Sequence, residues 1–311
     1  MKKILNDKLR KWADKYMGAN DGSAQKLLVS QDAACTDERT EERGLQLKND
    51  DGLVARAVSR ISHQELENQK NLEDVISLAD QELATQPHGD DSKEMDDGWF
   101  NRFSNYAMGV TNEDMKRMWG KILAGQIRRP DTYSIRTLNL MSMLSRKEAE
   151  IIGNMAQFVL YDYSGNRDAY ILNSKTIEEV KFSDVMLLME LGLIDNSSNL
   201  AITLDKNGEE SINLLLVKKD VGLYISTTQE HLLIHIYKLT SLGKEIMGLV
   251  DGAELNINYV RKYCEILIKS DKTMSVICAK IQKLVENNLD LDEEHAFIKL
   301  GVKYEERNGG V

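Results

Sequence analysis

Residues 99–160 read WFNRFSNYAMGVTNEDMKRMWGKILAGQIRRPDTYSIRTLNLMSMLSRKEAEIIGNMAQFVL, and this stretch decides the fold because its helix signals are legible. Thr111 or Asn112 supplies a capping side chain, and the acidic residues that follow favour a helix start. Apolar residues then recur every three or four positions, which predicts one buried helix face. Pro130 ends this helix. The residues of the buried face are Met115, Met118, Trp119, Ile122 and Leu123.

Two more helices follow in the same stretch. Ser134 is placed to cap a helix that runs through Leu138 and Met141. Ser145, with Glu148 three residues later, forms the capping-box pattern that opens a third helix. The stretch therefore predicts a small helical core.

The run from residue 115 to residue 151 resembles a bacterial family of uncharacterised, often prophage-associated proteins, the domain-of-unknown-function family DUF2806. Family members look like lWakiLAgEi.kPgsfSlrTL, and the resemblance extends from about Val54 to about Gly248. The matching residues are Trp119, Ile122, Leu123, Ala124, Gly125, Pro130, Ser134, Arg136, Thr137 and Leu138. The family implies no activity. A similar helix followed by a turn occurs in abortive-infection alpha proteins, and this analogy points towards phage defence.

The composition is that of a mainly helical protein that is not a general nucleic-acid binder. The 311 residues provide for one large domain or two to three small ones. Only two prolines and few aromatic residues favour helices. The net charge of −10 argues against a generally nucleic-acid-binding surface. Three cysteines without a CxxC pair, no long apolar run and no apolar segment after the charged start predict a cytoplasmic protein.

Residues 1–18 form a basic amphipathic pattern, followed by a polar linker over residues 19–52. The apolar stripe is a candidate membrane or partner contact, and its residues are Leu5, Leu9, Trp12 and Tyr16. The alternative is an ordinary helix that packs this stripe on the body of the protein. We then expect a helical domain over residues 53–165. Its first helix has a polar middle between two apolar patches, which suits a helix that bridges two bodies or pairs with a second copy.

Residues 166–252 resemble a winged-helix module, in which paired strands follow a helix closed by Gly192. Asn207 and Gly208 form a strong hairpin signal between two of these strands. The helix from Ser183 to Leu191 has no arginine, lysine, asparagine or glutamine to contact DNA. This module is therefore predicted to pack or to bind protein.

Residues 253–311 carry two apolar stripes, which predict a C-terminal helical hairpin and tail. The second stripe comprises Val276, Ile277, Ile281, Leu284 and Val285. The predicted fold class is thus mainly α with a small α+β part. A helical core is followed by the winged-helix-like module and the helical hairpin.

No motif indicates catalysis, a metal or a cofactor. His231 and His235 lie on a predicted strand, where they stand about 13 Å apart, too far for one ion. Arg128, Arg129 and Arg136 are candidates to bind a phosphate or an acidic partner. The alternative is that they compensate the helix dipole and are otherwise solvated.

The sequence therefore predicts a non-catalytic protein that interacts with a protein partner or with itself as a homo-oligomer. Its expected setting is bacterial or prophage-encoded defence against phage. The alternative is a nucleic-acid-binding regulator that uses the winged-helix-like module and the three arginines.

Overall fold

The computed structural model describes residues 51–85, 95–163, 168–173, 177–197, 200–250, 252–285 and 288–301. The chain divides into two compact units, one ending at Ser142 and the other beginning at Met143. The third helix of the 99–160 stretch, which begins at Arg146, therefore belongs to the second unit.

The described part of the first unit is helical. Asn112 accepts a hydrogen bond from the Met115 amide at 3.1 Å, so the predicted helix start at this position is confirmed. Asp96 caps an earlier helix by accepting from the Trp99 amide at 2.7 Å. The helices are α1 (Asp51–Thr85), α2 (Asp97–Ala107), α3 (Glu113–Arg128) and α4 (Ile135–Met143).

Stacked aromatic rings form the centre of this helical core. Phe103 lies between Trp99 and Trp119, with ring centroids 5.3 and 5.4 Å away. Gly120 allows α3 to approach α1 closely, because a Cβ at this position would lie 2.9 Å from the Leu78 Cβ. The long helix α1 therefore packs on the aromatic core through its C-terminal half.

The second unit combines helices with a large sheet. Its capping box at Ser145 and Glu148 is formed as predicted. The helices are α5 (Arg146–Met155), the 3-10 turn Ala156–Phe158, α6 (Phe182–Glu190), α7 (Ser241–Leu249) and α8 (Ile257–Ser270). The strands are β1 (Val159–Asp162), β2 (Ala169–Leu172), β3 (Ala201–Asp205), β4 (Ile212–Lys218), β5 (Val221–Thr227), β6 (His231–Lys238), β7 (Ser275–Val285), β8 (Asn288–Leu291) and β9 (Ile298–Gly301).

The nine strands of the described residues join one antiparallel sheet in the order β3-β6-β2-β1-β4-β5-β7-β8, with β9 also paired to β7. The predicted fold class, mainly α with a small α+β part, is therefore wrong. Strands that are distant in sequence lie side by side: β2 pairs with β6, and β5 pairs with β7.

The winged-helix-like module is not a separate unit. The boundary predicted between residues 165 and 166 falls between β1 and β2, and these two strands pair with each other. Strand β2 also pairs with β6, which connects the predicted module to the rest of the sheet. The four residues of β2 are all buried, and so short an apolar run carries no periodicity of its own.

The C-terminal helical hairpin is also wrong. Helix α8 forms, but the second stripe lies on β7, which pairs with β5 and β9. Val276 to Ala279 are consecutive buried residues, as expected for a strand covered on both faces. Apolar residues that are three and four positions apart occur both in buried helices and in strands covered on both faces. Their spacing alone therefore does not distinguish the two structures.

The Asn207–Gly208 turn forms without joining partner strands. Both residues have positive φ, 48° and 86°, yet β3 pairs with β6 while β4 pairs with β5. The β4–β5 hairpin instead turns at Lys219, whose φ is 52°. Gly192, with φ of 71°, ends α6 as predicted.

Candidate interaction surface

The N-terminal half of α1, residues 52–70, is exposed except for the half-buried Ala57, Asn68 and Gln69, and is called the arm here. From Asn71 onward α1 packs on the other described helices of this unit, and Asn71 Nδ2 donates to the Met108 carbonyl at 3.0 Å. Beyond it, the Lys116 ammonium lies 2.7 Å from Asp74 Oδ2. At 1.5 Å per residue the arm is roughly 30 Å long. It therefore extends a helix well past the part that α3 covers.

One face of the arm is apolar. Leu53, Val54, Val58 and Ile61 are 51, 43, 57 and 53% exposed. With 3.6 residues per turn, these side chains span an arc of about 140° around the helix. Leu72, Val75 and Ala79, which are buried in the helical core, fall within the same arc. The arm thus continues the core-forming face of α1 into a region where the described chain leaves it exposed.

Charges of opposite sign occupy separate turns of the arm. Arg56 and Arg60 accompany the apolar residues, whereas Glu65 and Glu67 follow them, and all four side chains are exposed. Glu65 lies inside the apolar arc. The arm is therefore basic along its apolar turns and acidic in the turn that follows, and Lys70 is its last residue.

Lys116 fixes the point where the arm begins. Its side chain is 5% exposed and contacts Asp74 at 2.7 Å and Glu113 at 3.2 Å. The hydrogen bond to Asp74 raises the pKa of Lys116, while burial acts in the opposite direction. The ammonium therefore stays charged and holds the start of α3 against α1.

The three candidate arginines have different surroundings. Arg128 donates to the Glu82 carbonyl and forms an ion pair with Glu82 Oε1 at 3.7 Å. Arg129 and Arg136 are exposed, and neither side chain forms a hydrogen bond or an ion pair with the described residues. Binding of a phosphate or an acidic partner by Arg129 and Arg136 remains a prediction, whereas Arg128 already contacts Glu82.

The turn between α3 and α4, which lies between Arg128 and Arg136, is fixed by side chains from two helices. Trp99 Nε1 donates to the Tyr133 carbonyl at 2.7 Å, and Gln126 Oε1 accepts from the Tyr133 amide at 2.9 Å. Asp131 has a φ of 69°, which asparagine and aspartate tolerate better than most residues. The turn is consequently rigid and does not need a ligand to order it.

The family model described as Protein of unknown function (DUF2806) matches residues 55–263. The chain belongs to this family. No curated protein and no solved structure matches the chain.

The DUF2806 motif residues of this chain have structural roles. Trp119 is fully buried in the aromatic core, and Pro130 is buried at the end of α3. Gly125 lies under the Tyr133 ring, since a Cβ there would be 2.6 Å from Tyr133 Cε2. The DUF2806 motif residues therefore determine how the helices pack. The exposed face of the arm overlaps the start of the family match.

Replacing Arg128 with alanine is expected to lower the free energy of unfolding of the helical unit by about 1–2 kcal/mol. The substitution removes a charge-assisted bond to α1 and its ion pair. Arg129→Ala, the matched control one residue later, is expected to change the same quantity by less than about 0.5 kcal/mol. Urea unfolding followed by circular dichroism measures both, and equal losses would contradict the assigned pairing.

The remaining sequence predictions concern the N-terminal apolar stripe, the two histidines, metal ligands and membrane-spanning helices. Leu5, Leu9, Trp12 and Tyr16 lie outside the described residues. His231 and His235 both lie on β6, so the predicted strand is confirmed. No group of three or more potential metal ligands occurs among the described residues. No described helix has the length and apolar character needed to cross a membrane.

The sequence showed the apolar periodicity of α1 but not that half of it is exposed. The signal that could have revealed the arm was that the apolar residues before and after the polar middle of α1 share one arc of the helix. The Arg128–Glu82 pair had no local signal, because its partners lie 46 residues apart.

Proposed function

We propose that this chain is a non-catalytic protein-interaction protein of the cytoplasm and that the arm is its contact surface. The observation that supports the proposal is the apolar face of the arm, exposed at Leu53, Val54, Val58 and Ile61. Contiguous exposed apolar patches commonly mark protein-binding sites. An amphipathic helix binds through residues spaced three and four apart, which is the spacing found here.

The arm has a physical reason to bind. An isolated helix of about 20 residues is only marginally stable in water, so a helix with an exposed apolar face gains stability from being covered. Covering its apolar face removes about 0.8 kcal/mol of unfavourable hydration per buried methylene group. A docked protein helix would supply this cover and stabilise the arm at the same time.

The biological setting we propose is bacterial or prophage-encoded defence against phage, of the abortive-infection type. The support is the similarity of the helix ending at Pro130 to a helix of abortive-infection alpha proteins. Cells that carry the gene should then plate phage less efficiently than cells that carry an Ile61→Asp variant. Plating equal to that of cells without the gene, across a phage panel, would contradict this setting without affecting the interaction proposal.

Photo-crosslinking in cells tests the interaction itself. A photoreactive amino acid at Val58 lies within the apolar arc, whereas one at Ser59 lies on the opposite, exposed side of the same helix turn. We expect protein adducts from position 58 and few from position 59. Equal yields from both positions, or none from either, would contradict the arm as the contact surface.

A further inference from the structure

We propose that Asn207 is a site of spontaneous deamidation, at which the folded protein acquires aspartate and isoaspartate in place of asparagine. The reaction uses the backbone nitrogen of Gly208 and water. Four features of the turn between β3 and β4 support it: a free nucleophile, an uncovered glycine, a side-chain amide without partners and a weakly held backbone. The turn lies in the sheet-containing unit, and the inference is independent of the proposed function.

The backbone nitrogen of Gly208 is available as the nucleophile. One backbone hydrogen bond closes the turn, from the Glu209 amide to the Lys206 carbonyl at 2.9 Å. A turn closed in this way leaves the amide of its second central residue, here Gly208, without an acceptor. No other acceptor for this amide occurs among the described residues. The nitrogen is therefore free to react.

Gly208 also leaves this nitrogen uncovered. Even a Cβ at this position would meet no atom within 4 Å. The φ of 86° is a conformation that glycine adopts without strain. Asn213, in β4, is instead followed by Leu214, whose branched side chain hinders attack by its own backbone nitrogen. Of these two asparagines, only Asn207 thus has an unhindered neighbour.

The side-chain amide of Asn207 is accessible and unrestrained. Asn207 is exposed, and its side chain forms no hydrogen bond with the part of the chain that the structure describes. It lines a surface cavity of about 230 Å³ together with Asp205 and Glu209, so water reaches the amide. In Asn213, by contrast, Oδ1 accepts from the Tyr224 hydroxyl at 2.6 Å. That bond holds the Asn213 side chain in place.

Little in the fold opposes the distortion of the backbone that ring closure requires. Asn207 has a φ of 48°, a conformation that is uncommon for residues with a side chain. The turn does not join partner strands, because β3 pairs with β6 while β4 pairs with β5. Opening it breaks the bond between Glu209 and Lys206, and one such bond contributes little net stability in water. Both strand pairings remain intact.

The reaction balances with water as its only co-reactant. The Gly208 nitrogen gives up its proton and attacks Cγ of Asn207, which forms a cyclic succinimide. The bond from Cγ to the side-chain nitrogen breaks, and this nitrogen takes up a proton and leaves as ammonia. Water then opens the ring. Cleavage at Cγ gives aspartate, whereas cleavage at the backbone carbonyl gives isoaspartate, and neither step is an oxidation or a reduction.

Either product adds a negative charge to a turn that is already acidic. Asp205, Glu209 and Glu210 are all exposed there, so the new carboxylate increases the repulsion between like charges. Isoaspartate also lengthens the backbone by a methylene group, which is incompatible with the bond between Glu209 and Lys206. The modified turn is therefore expected to stay open.

Peptide mass spectrometry of aged protein tests the inference. The full-length protein is incubated in its native state at neutral pH and then digested with trypsin in water labelled with heavy oxygen, which marks any change made during digestion. Cleavage after Lys206 and Lys218 releases one peptide that contains both Asn207 and Asn213. We expect unlabelled aspartate and isoaspartate to accumulate with time at Asn207, and asparagine to persist at Asn213.

A variant and an unfolded sample provide the controls. Asn207→Gln keeps an amide in the turn but requires a larger ring, so the products at this position should be lost. Incubation in urea should convert Asn207 as well. Conversion in urea but not in the native protein would show that the turn protects Asn207 and would overturn the inference. No conversion in either state, or equal conversion of Asn207 and Asn213 in the native protein, would overturn it too.

Discussion

Replacing Gly243 with alanine is expected to lower the free energy of unfolding of the sheet-containing unit by about 3 kcal/mol. A Cβ at Gly243 would lie 2.0 Å from the Leu193 carbonyl oxygen. That oxygen belongs to a buried residue and accepts a hydrogen bond from the Thr240 amide at 3.0 Å. Backbone rather than a flexible side chain would have to move, so the strain cannot relax locally. Urea unfolding followed by circular dichroism measures the loss.

Gly248 provides the matched control for this prediction, because it lies in the same helix, α7. A Cβ at Gly248 meets no atom within 4 Å, and the residue is exposed. Gly248→Ala should therefore stabilise the unit by up to about 1 kcal/mol through helix propensity. The same chemical change is thus expected to have opposite signs at two positions five residues apart. A loss of similar size at both would contradict the role of the Leu193 carbonyl.

Truncating Trp119 to alanine is expected to lower the free energy of unfolding of the helical unit by about 3–5 kcal/mol. Trp119 is fully buried and contacts the rings of Phe103 and Tyr106, at centroid distances of 5.4 and 6.1 Å. The cavity left behind would lie at the centre of the aromatic cluster, where neighbouring helices cannot close it. Denaturant unfolding of the helical unit measures the effect.

Trp119→Phe separates the volume of the side chain from its polarity. Trp119 Nε1 is buried without a hydrogen-bond partner among the described residues. Phenylalanine keeps most of the ring and removes this unpaired donor, so its loss should be well below that of alanine. Leu66→Ala, at a site 73% exposed, is the control and should change stability by less than about 0.5 kcal/mol. Equal losses for phenylalanine and alanine would contradict this account.

The helical starts could be predicted from the sequence because their causes are local. Asn112 and Ser145 each accept a hydrogen bond from an amide three residues away, at 3.1 and 3.3 Å. Capping of this kind depends on a few neighbouring residues and leaves a pattern that a short window contains. The same holds for Gly192, whose positive φ ends α6.

The sheet could not be predicted in the same way, because its pairings are not local. Strand β5 reaches β7 over more than 40 intervening residues, and β2 reaches β6 past three other strands. Each strand is short, and a fully buried strand has no alternation of polar and apolar residues to distinguish it from a helix. The apolar stripe on β7 consequently predicted a helix, whereas this segment is a strand that pairs with β5 and β9.

For the candidate surface, the sequence predicted which residues are apolar but not which of them are covered. Val58 and Val75 have the same residue type and lie on the same arc of α1, yet one is 57% exposed and the other fully buried. The difference lies in where α3 begins along α1, which depends on tertiary packing. Arg128 and Arg129 differ for the same reason, since only Arg128 reaches Glu82.

The position of β7 has a consequence for how the protein is synthesised. The family match ends at residue 263, before β7 begins, although β7 covers the open edge of β5. A chain still on the ribosome, or a fragment cut at the family boundary, would present β5 as an unpaired edge rich in apolar residues. Such edges recruit strands from other chains. Strand β7 therefore protects the edge of β5 from aggregation only once the last part of the polypeptide has been synthesised.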